Sequence, residues 1–465
     1  MTQPPAQGPC AQHPRQACHP DAARGLFAVA AGLLWAALPA SAADAAPPAA
    51  SSPTLSLDQA LQTALALSQH SGRLGALQWR QQASRKDQVA AAQRSDPVLK
   101  LGISNLPVGG DSAWSVSRDF MTMRNIGVMQ ELTRADKLAA RSARSAAEGE
   151  LLAAGRRLDA ADLQRQTALA WLDSSMQGSL RGLLQAQQDE ARLQVSAAEA
   201  LYRSGRGQQA DVFTARGEVE RLTDRLAEVQ REQDLAQNRL ARWVGADTAG
   251  LPTAPRPEMR LPAWAEPGTA PGDHLATTPT LQLADRQQAL AQAEVALADS
   301  RRRHDWSVEL MFSQRGPSFS NMVSLNFSVP LVWDSAQRQD RELAAAQARA
   351  RAALADREEQ ARAHAAELNE MLLAWRSHQR RLLHFDASLL PLAQQRLQAA
   401  QTSYRAGNGS LNEALAARRG LLALQVDRLG VEIALAQRWA QMTMLDTPAG
   451  LSELPATPTM TRSQP

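Results

Sequence analysis

The 465-residue sequence contains few of the residues that build compact mixed domains or chemical centres. Aromatic residues make up 4% of it, and its two cysteines are Cys10 and Cys18. So little cysteine excludes both a disulfide-stapled scaffold and a thiolate metal cluster. No run of about 18 apolar residues occurs, which argues against a membrane-spanning helix. The formal net charge of +3 gives no electrostatic reason to expect nucleic-acid binding.

The first 42 residues have the features of a secretory signal peptide. Arg15 and Arg24 precede an apolar stretch over residues 26–38, and Ala40 to Ala42 supply the small residues of a cleavage site. The stretch is too short to span a bilayer as a stable helix, and a retained N-terminal anchor is the alternative. Both cysteines would leave with the signal, so we expect an exported chain without disulfides or a lipid-modified cysteine.

A six-residue segment occurs twice in the chain. Tyr202 to Gly207 returns as Tyr404 to Gly409, with the two tyrosines 202 positions apart. A repeat of this length exceeds a solenoid unit and must contain a whole supersecondary assembly. After the signal peptide, the predicted segments are an N-terminal linker 43–54, a first repeat 55–245, a proline-rich linker 246–273, a second repeat 274–446 and a C-terminal tail 447–465.

Long helices are predicted to dominate each repeat, because alanine, leucine, glutamine and arginine crowd long stretches. Residues 135–204 contain no proline, and about 70 residues at about 1.5 Å each would extend roughly 105 Å. A second stretch of about 71 residues starts at Asp334 and is expected to kink at Pro391. Each stretch ends in a glycine turn, followed by apolar residues spaced three and four apart, which predicts antiparallel hairpins. Shorter helices are predicted over residues 56–94 and 280–303.

Four segments alternate apolar with polar residues, as strands with a single apolar face do. The clearest is Met322 to Leu331, in which Val323, Leu325 and Phe327 alternate with serine and asparagine. The other three predicted strands cover residues 98–106, 124–132 and 305–313.

Such strands suit contact with lipid, and a sheet in hydrocarbon must close because an open edge leaves backbone polar groups unsatisfied. Single-chain barrels begin at about eight strands, so four strands imply at least a dimer and more naturally a trimer with twelve. Charged helices of roughly 105 Å exceed the bilayer core of about 30 Å and must project from it. The predicted fold class is mainly α with four membrane β-strands, in two tandem repeats of helix, strand, strand and long helical hairpin.

The order of these segments resembles the TolC-like outer-membrane efflux proteins, and more narrowly the branch that exports heavy metals and other cations. The resemblance covers residues 55–445. The branch assignment rests mainly on the segment 121–132 and on the missing lipidation cysteine. The segments that carry the resemblance are Leu57 to Leu61 (LDQAL), Asp96-Pro97, Met121 to Leu132 (MTMRNIGVMQEL), Val323 to Leu331 (VSLNFSVPL) and both Tyr-Arg-x-Gly turns.

The resemblance implies a homotrimer in the outer membrane. Its twelve-stranded β-barrel would continue into a periplasmic α-helical barrel that meets a periplasmic adaptor, or membrane fusion protein. An inner-membrane pump, expected to be of the resistance-nodulation-division type, would deliver the substrate, expected to be metal cations. The chain would then be a passive exit duct and not an enzyme.

The resemblance also implies which residues narrow the channel. In the family, the hairpin turns form the periplasmic tips, where a tyrosine and acidic residues of neighbouring hairpins hold the channel shut. Tyr404 matches that tyrosine, and Asp211 and Glu413, each six residues after the first glycine of its turn, match the acidic positions. Arg203 and Arg405 are candidate partners for these carboxylates. Acidic residues on a threefold axis would form rings that attract cations.

Two features leave the predicted gate open to other interpretations. Gly409 stands where the family has a gating arginine, so we expect the lock to be weaker or built differently. Asp211 and Glu413 are equally explained as helix-start residues favoured by the helix dipole, and Tyr404 as a residue that packs against the adjacent helix. The glycines of the turns, where we expect the adaptor to dock, are Gly205, Gly207, Gly407 and Gly409.

No cofactor and no dedicated metal site are predicted. None of the histidines after the signal peptide stands four residues from another, the spacing that two ligands on one helix face need. The pairs Met121 with Met123 and Met442 with Met444 offer soft thioethers that suit Cu(I), but packing is the preferred explanation.

Two other function classes are less well supported. The sequence contains no glycine-rich phosphate loop, nucleophile elbow or catalytic cysteine, which argues against an enzyme. A periplasmic coiled-coil adaptor or scaffold protein is the alternative function. Adaptors typically carry one hairpin flanked by small β domains, whereas two hairpins are predicted here.

Overall fold

The computed structural model describes residues 54–266, 274–331 and 333–446. The predicted signal peptide, both cysteines and the C-terminal tail lie outside the described residues. Residues 43–53 of the N-terminal linker and 267–273 of the proline-rich linker lie outside them as well.

The described strands form a single antiparallel sheet in the order in which they occur along the chain. The prediction of four strands is therefore confirmed, although the last strand ends three residues earlier than the alternation suggested. The strands are β1 Val98–Ser104, β2 Met123–Leu132, β3 Trp306–Gln314 and β4 Met322–Ser328.

One face of this sheet is apolar and exposed. Across the strands apolar residues stand opposite one another, as Leu101 does to Ile126 and Phe312 to Val323. The alternation read from the sequence therefore marks a real face, which no other described element covers. Its exposed apolar side chains are Leu99, Leu101, Ile103, Ile126, Val128, Trp306, Leu310, Phe312, Val323, Leu325 and Phe327.

The opposite face is polar and carries an ion pair between the first and third strands. The ammonium of Lys100 on β1 contacts the carboxylate of Glu309 on β3. Gly127 on β2 lies opposite Lys100 and has no side chain to obstruct this contact. A Cβ at Gly127 would lie 2.9 Å from the carbonyl oxygen of Leu310, so the close strand approach also requires glycine there.

The helices occupy most of the remaining described chain. No described helix combines the length and apolar composition needed to cross a membrane. The helices are α1 Leu57–Ser71, α2 Arg73–Ala91, α3 Ala135–Arg203, α4 Gln209–Val244, α5 Ala246–Ala249, α6 Pro279–Ser300, α7 Gln339–His384, α8 Leu390–Arg405 and α9 Leu411–Thr443.

These helices form two hairpins that pack along one another. The first hairpin is α3 with α4, and the second is α7 and α8 with α9. Leu184 of α3, Leu222 of α4 and Leu422 of α9 meet in one apolar cluster, and Val219 and Leu226 pack against it. The heptad spacing predicted for the return helices is therefore confirmed.

The largest core lies where the return helices α4 and α9 end, about halfway along the long helix α3. Trp171, Trp375 and Trp439 are buried there, one from each of α3, α7 and α9. The indole N–H of Trp171 donates to the carbonyl of Leu55 at 3.0 Å, and that of Trp439 to the carbonyl of Arg260 at 2.9 Å. A residue just before α1 and one in the proline-rich linker thus accept the hydrogen bonds of these two buried indoles.

The predicted continuous helix over residues 56–94 is wrong, because Gly72 divides it. Gly72 is extended, with φ −111° and ψ −163°. The hydroxyl of Ser68 accepts from the backbone N–H of Leu74 at 3.4 Å and replaces a helical carbonyl. A Cβ at Gly75 would lie 2.4 Å from a backbone carbonyl oxygen, so the junction is tighter than a side chain allows.

The second long stretch also departs from its predicted outline. Its helix begins at Gln339 and not at Asp334, because the Asp334 carboxylate accepts from the N–H of Gln337 at 3.1 Å within a turn. The disturbance expected at Pro391 takes the form of a π-helical turn, Phe385–Leu389. The wider turn accommodates the missing N–H and the ring of proline, so helical structure continues through it.

Candidate functional site

The two hairpin turns adopt the same backbone conformation. Gly205 and Gly407 have φ values of 70° and 78°. A residue with a Cβ would lose about 1–2 kcal/mol in this left-handed conformation, so glycine is needed to end each helix this way. The positions are 202 apart, which matches the spacing of the repeated sequence segment.

The second glycine of each turn is required by a close approach. The N–H of Gly207 donates to the carbonyl of Leu201 at 3.1 Å, and the N–H of Gly409 donates to that of Ser403 at 3.1 Å. A Cβ would lie 3.0 Å from the Cβ of Leu201 in the first turn and 2.7 Å from the hydroxyl of Ser403 in the second. Gly409 therefore closes its turn, at the position where the family resemblance suggested an arginine.

Both acidic residues start the helix that follows their turn. The Asp211 carboxylate accepts from the N–H of Gln208 at 3.4 Å. The Glu413 carboxylate accepts from the N–H of Ser410 at 3.3 Å, while the Ser410 hydroxyl accepts from the N–H of Glu413 at 3.2 Å. Each carboxylate thus satisfies a free backbone donor of its helix end. The helix-start interpretation describes their local contacts, and each carboxylate has further acceptor capacity.

Tyr404 is half-buried between the two hairpins. Burial raises the pKa of its hydroxyl above the ordinary 10.0, and the nearby carboxylate of Asp211 raises the pKa further. The phenol therefore stays neutral at physiological pH and remains a hydrogen-bond donor. The structure thus brings the predicted tyrosine of the second hairpin close to the predicted acid of the first. The cluster around Tyr404 consists of Val195, Ala198, Val212, Ala215, Leu411 and Leu415.

The two arginines lie apart from these carboxylates in a single chain. The Nε of Arg203 donates to the carbonyl of Glu199 in its own helix at 3.3 Å. The Glu199 carboxylate pairs with Arg216 of α4 at 2.7 Å, and chiefly this contact lowers its pKa. Arg405 is exposed, and its guanidinium pairs with no described residue.

A buried arginine that sequence reasoning missed also joins the hairpins. Arg418 of α9 is only 6% exposed. Its guanidinium pairs with the Glu190 carboxylate of α3, and its Nε donates to the amide oxygen of Gln187 at 3.2 Å. The signal was present in the sequence, because Arg418 lies four residues before Leu422 and three after Leu415, on the apolar stripe of α9.

Possible metal donors do not converge in the described part of the chain. It contains no group of three or more histidine, cysteine or acidic residues placed to hold a metal ion. Met442 is fully buried and Met444 packs against the same core, which confirms the packing interpretation for this pair. Met123 is half-buried at the start of β2, and Met121 is exposed just before it.

Several solved outer-membrane channels have a similar fold. The chain has 20% identity to the outer-membrane channel OprN, with a TM-score of 0.68 and coverage of 83% of this chain and 89% of that one. For CusC, described as forming a transmembrane channel, identity is 17%, TM-score 0.70, and coverage 84% and 92%. For the outer membrane protein VceC from Vibrio cholerae, identity is 18%, TM-score 0.69, and coverage 84% and 96%.

No family model and no curated protein matches the sequence. At these identities the likeness establishes the fold: a mainly helical chain with a four-stranded antiparallel sheet, as in these channels.

Proposed function

We propose that this protein is the outer-membrane exit duct of a tripartite efflux system, a passive channel of the TolC-like family that works as a homotrimer. Its substrate is metal cations, delivered by an inner-membrane pump of the resistance-nodulation-division type through a periplasmic adaptor. One observation carries the proposal: a single chain combines a small sheet with an exposed apolar face and two long hairpins that end in matched turns.

The dimensions of the sheet support contact with a bilayer. β2 has 10 residues, and a strand of that length tilted by about 45° rises roughly 24 Å. Outer-membrane barrels have an apolar band of about 25 Å, bordered by aromatic girdles. Exposed aromatic side chains flank the sheet in the same way, with Trp306 and Trp333 at one end and Trp114, Phe120 and Phe319 at the other.

The free edges of the sheet support closure by other copies. β1 and β4 form the two edges. In hydrocarbon their outward N–H and C=O groups would lack partners, so each edge must pair with another strand. If β4 of one copy pairs with β1 of the next, three copies close a barrel of about twelve strands.

The hairpins support a location in the periplasm. α3 has 69 residues, or roughly 100 Å, more than three times the bilayer core of about 30 Å. A charged helix of this length has no place within the membrane. The localisation we propose is therefore the outer membrane, with the hairpins forming a helical barrel in the periplasm.

The tips supply a gate in this proposal. Tyr404 of the second hairpin packs against Ala198, Val212 and Ala215 of the first, and the Asp211 carboxylate lies near it, so this packing holds the two tips in one arrangement. Docking of an adaptor at the glycine turns would separate them. Three copies of Asp211 and Glu413 would ring the narrowest point with carboxylates, which favours cations. Pairing of Arg203 or Arg405 with these acids would have to occur between copies.

A periplasmic adaptor or scaffold function is less consistent with the fold. All the described strands join one sheet with an exposed apolar face, whereas small soluble β domains bury such faces in their own cores.

Single-channel recording in planar phosphatidylcholine bilayers tests the proposal. We expect purified full-length protein to have a trimeric mass by light scattering and to give pores of low resting conductance. A protein that stays monomeric and forms no pore would overturn it. Growth of a deletion strain across a panel of metal salts and drugs tests the substrate class, with loss of tolerance expected for metals alone.

A further inference from the structure

A groove lined with arginines lies where α3, α6 and α7 approach the sheet. Its volume is about 670 Å³, and its lining includes five arginines against two glutamates, Glu294 and Glu342, a net charge of +3. We call it the arginine groove. Its arginines are Arg144, Arg301, Arg338, Arg341 and Arg349.

Most of this positive charge is not neutralised within the chain. Arg144 pairs with Glu148 at 2.6 Å and approaches Glu294 at 4.0 Å. The guanidinium groups of the other four arginines form no ion pair or hydrogen bond with a described residue. Nearby arginines outside the groove differ, since Arg302 pairs with Asp340 at 3.0 Å and Arg303 with Asp136 at 3.1 Å.

The groove lies beside the end of the sheet that adjoins the long helices. Arg301 precedes the first residue of β3 by five positions, and Arg338 is the N-cap of α7. Arg341 lies in the first turn of α7. Arg144 and Arg349 lie about 14–15 Å beyond the first residues of their helices, so the groove extends from the sheet along α3 and α7.

We propose that the arginine groove binds the phosphate of an anionic phospholipid headgroup in the periplasmic leaflet of the outer membrane. This inference rests on the proposed function, which sets the sheet in that membrane. The polar layer on each side of a bilayer is about 5–7 Å thick, and Arg301, Arg338 and Arg341, the arginines of the groove that lie nearest to strand or helix ends beside the sheet, would adjoin it. Arginine suits this ligand because its planar fork donates two hydrogen bonds to phosphate oxygens.

The neighbouring copy in the proposed trimer would not neutralise the groove. In the chain, α7 follows the edge strand β4, and α2 precedes the other edge strand, β1. If β4 pairs with β1 of the next copy, the helix of that copy beside α7 would be α2. α2 carries Arg73, Arg80, Arg85 and Lys86 against one carboxylate, Asp87. Because α2 is itself positively charged, the anion we propose comes from the adjoining headgroup layer.

Native mass spectrometry of the full-length protein in mixed micelles tests this site, with phosphatidylglycerol or phosphatidylcholine as the probe. Each arginine near an anionic surface contributes on the order of fivefold in affinity. The triple variant Arg301→Gln, Arg338→Gln and Arg341→Gln should therefore bind phosphatidylglycerol about 100-fold more weakly. Phosphatidylcholine binding should not change.

Two controls separate charge from folding. The variant with lysine at the same three positions should retain most of the binding, because the net charge is kept. A variant with Arg225, Arg376 and Arg396 changed to glutamine loses the same charge from exposed positions far from the sheet and should bind as the wild type does. Pore formation in phosphatidylcholine bilayers reports the proposed function separately, and we expect the triple glutamine variant to retain it.

Three results would overturn the site. The first is equal retention of phosphatidylglycerol by the wild type and the triple glutamine variant. The second is displacement of the lipid by inorganic phosphate at equal concentration, which would make free phosphate the ligand. The third is a triple glutamine variant that binds lipid as the wild type does but has a changed anion-to-cation selectivity of the pore, which would show that the groove lines the pore.

Discussion

The tips of the two hairpins have the same backbone conformation, but side chains at equivalent positions differ in how exposed they are. Tyr202 of the first hairpin is 47% exposed, whereas its counterpart Tyr404 packs between the hairpins. Phe213 is 60% exposed, whereas its counterpart Leu415 is 2% exposed. Each pair is separated by the 202 residues of the sequence repeat.

The arginines two turns into the return helices show the same reversal. The side chain of Arg216 is 58% exposed and pairs with Glu199 of its own hairpin. Its counterpart Arg418 is buried and pairs with Glu190 of the other hairpin. One ion pair stabilises a single hairpin, and the other joins two.

The two copies therefore share their local backbone conformation but differ in which side chains are buried. Glycine conformations and helix caps depend on a few neighbouring residues, so both copies keep them. Burial depends on what lies opposite. The second hairpin rests on the first within one chain, and no described residue covers the equivalent face of the first. In the proposed trimer, that face meets the second hairpin of the neighbouring copy.

The largest difference between the tips is expected for Leu415→Ala and Phe213→Ala. Removing the buried leucine should lower the unfolding free energy by about 3 kcal/mol, because a cavity remains. Removing the exposed phenylalanine should change it by less than about 0.5 kcal/mol. Chemical unfolding in detergent measures both. Phe213→Ala should instead weaken the trimer in dilution experiments, and an undiminished trimer would show that the face of the first hairpin is free.

The second-largest difference is expected between the two interhelical ion pairs, in the unfolding free energy lost when each is broken. Glu190→Ala leaves the buried guanidinium of Arg418 without its half-exposed carboxylate partner and should cost about 2 kcal/mol of unfolding free energy, less than the loss of a fully buried pair. Glu199→Ala breaks the exposed pair with Arg216 and should cost less than about 1 kcal/mol. Equal losses in thermal unfolding would show that the pairs are energetically alike despite their burial.

The gate prediction compares the two tyrosines. Tyr404→Phe with Asp211→Ala should raise the resting conductance about fivefold, because a loss of about 1 kcal/mol in the stability of the closed tips shifts the equilibrium toward open tips by that factor. Tyr202→Phe with Glu413→Ala should have a smaller effect, because Tyr202 is half-exposed. Planar-bilayer recording measures both, and an unchanged conductance in the first variant would remove Tyr404 and Asp211 from the gate.

The smallest expected effect is a pH dependence. The pKa of Tyr404 is raised in the folded protein, so its contribution to stability is complete below the ordinary tyrosine pKa of 10.0. That contribution is lost as pH rises through the raised pKa, because the folded state then resists ionisation. Limited proteolysis at the tips should accelerate above about pH 10 in the wild type more than in Tyr404→Phe. Identical acceleration in the two proteins would contradict this assignment.

The strands show how much of the fold was readable. Period-two alternation in a segment such as 322–331 depends only on which side chains face one way, and it identified all the strands that the structure describes. The helix boundary at Gly72 was missed because it depends on a hydrogen bond to the Ser68 hydroxyl and on the close approach of Gly75 to a backbone carbonyl. Neither contact produces a periodic pattern in the sequence. The late start of α7 was missed because Asp334 caps a turn instead of a helix.

The candidate site was readable only in part. The resemblance led to Tyr404 and Asp211, and the structure brings them together. Arg418 was missed because a charged residue on an apolar stripe gives no sign of its partner, which lies 228 residues earlier at Glu190. The close packing at Gly409 was not predicted, because it depends on the Ser403 side chain, whose hydroxyl would lie 2.7 Å from a Cβ at that position.

The repeat, the strands with one apolar face, the long helices and the glycine turns between them can all be recognised from the amino-acid sequence. Each of these follows from backbone preferences and side-chain periodicity over short stretches of chain. Which copy of each repeated residue is buried, and which is exposed, depends on how the hairpins pack. Two turns with the same backbone conformation therefore differ in the burial of their side chains, because burial depends on the contact between the hairpins and not on either hairpin alone.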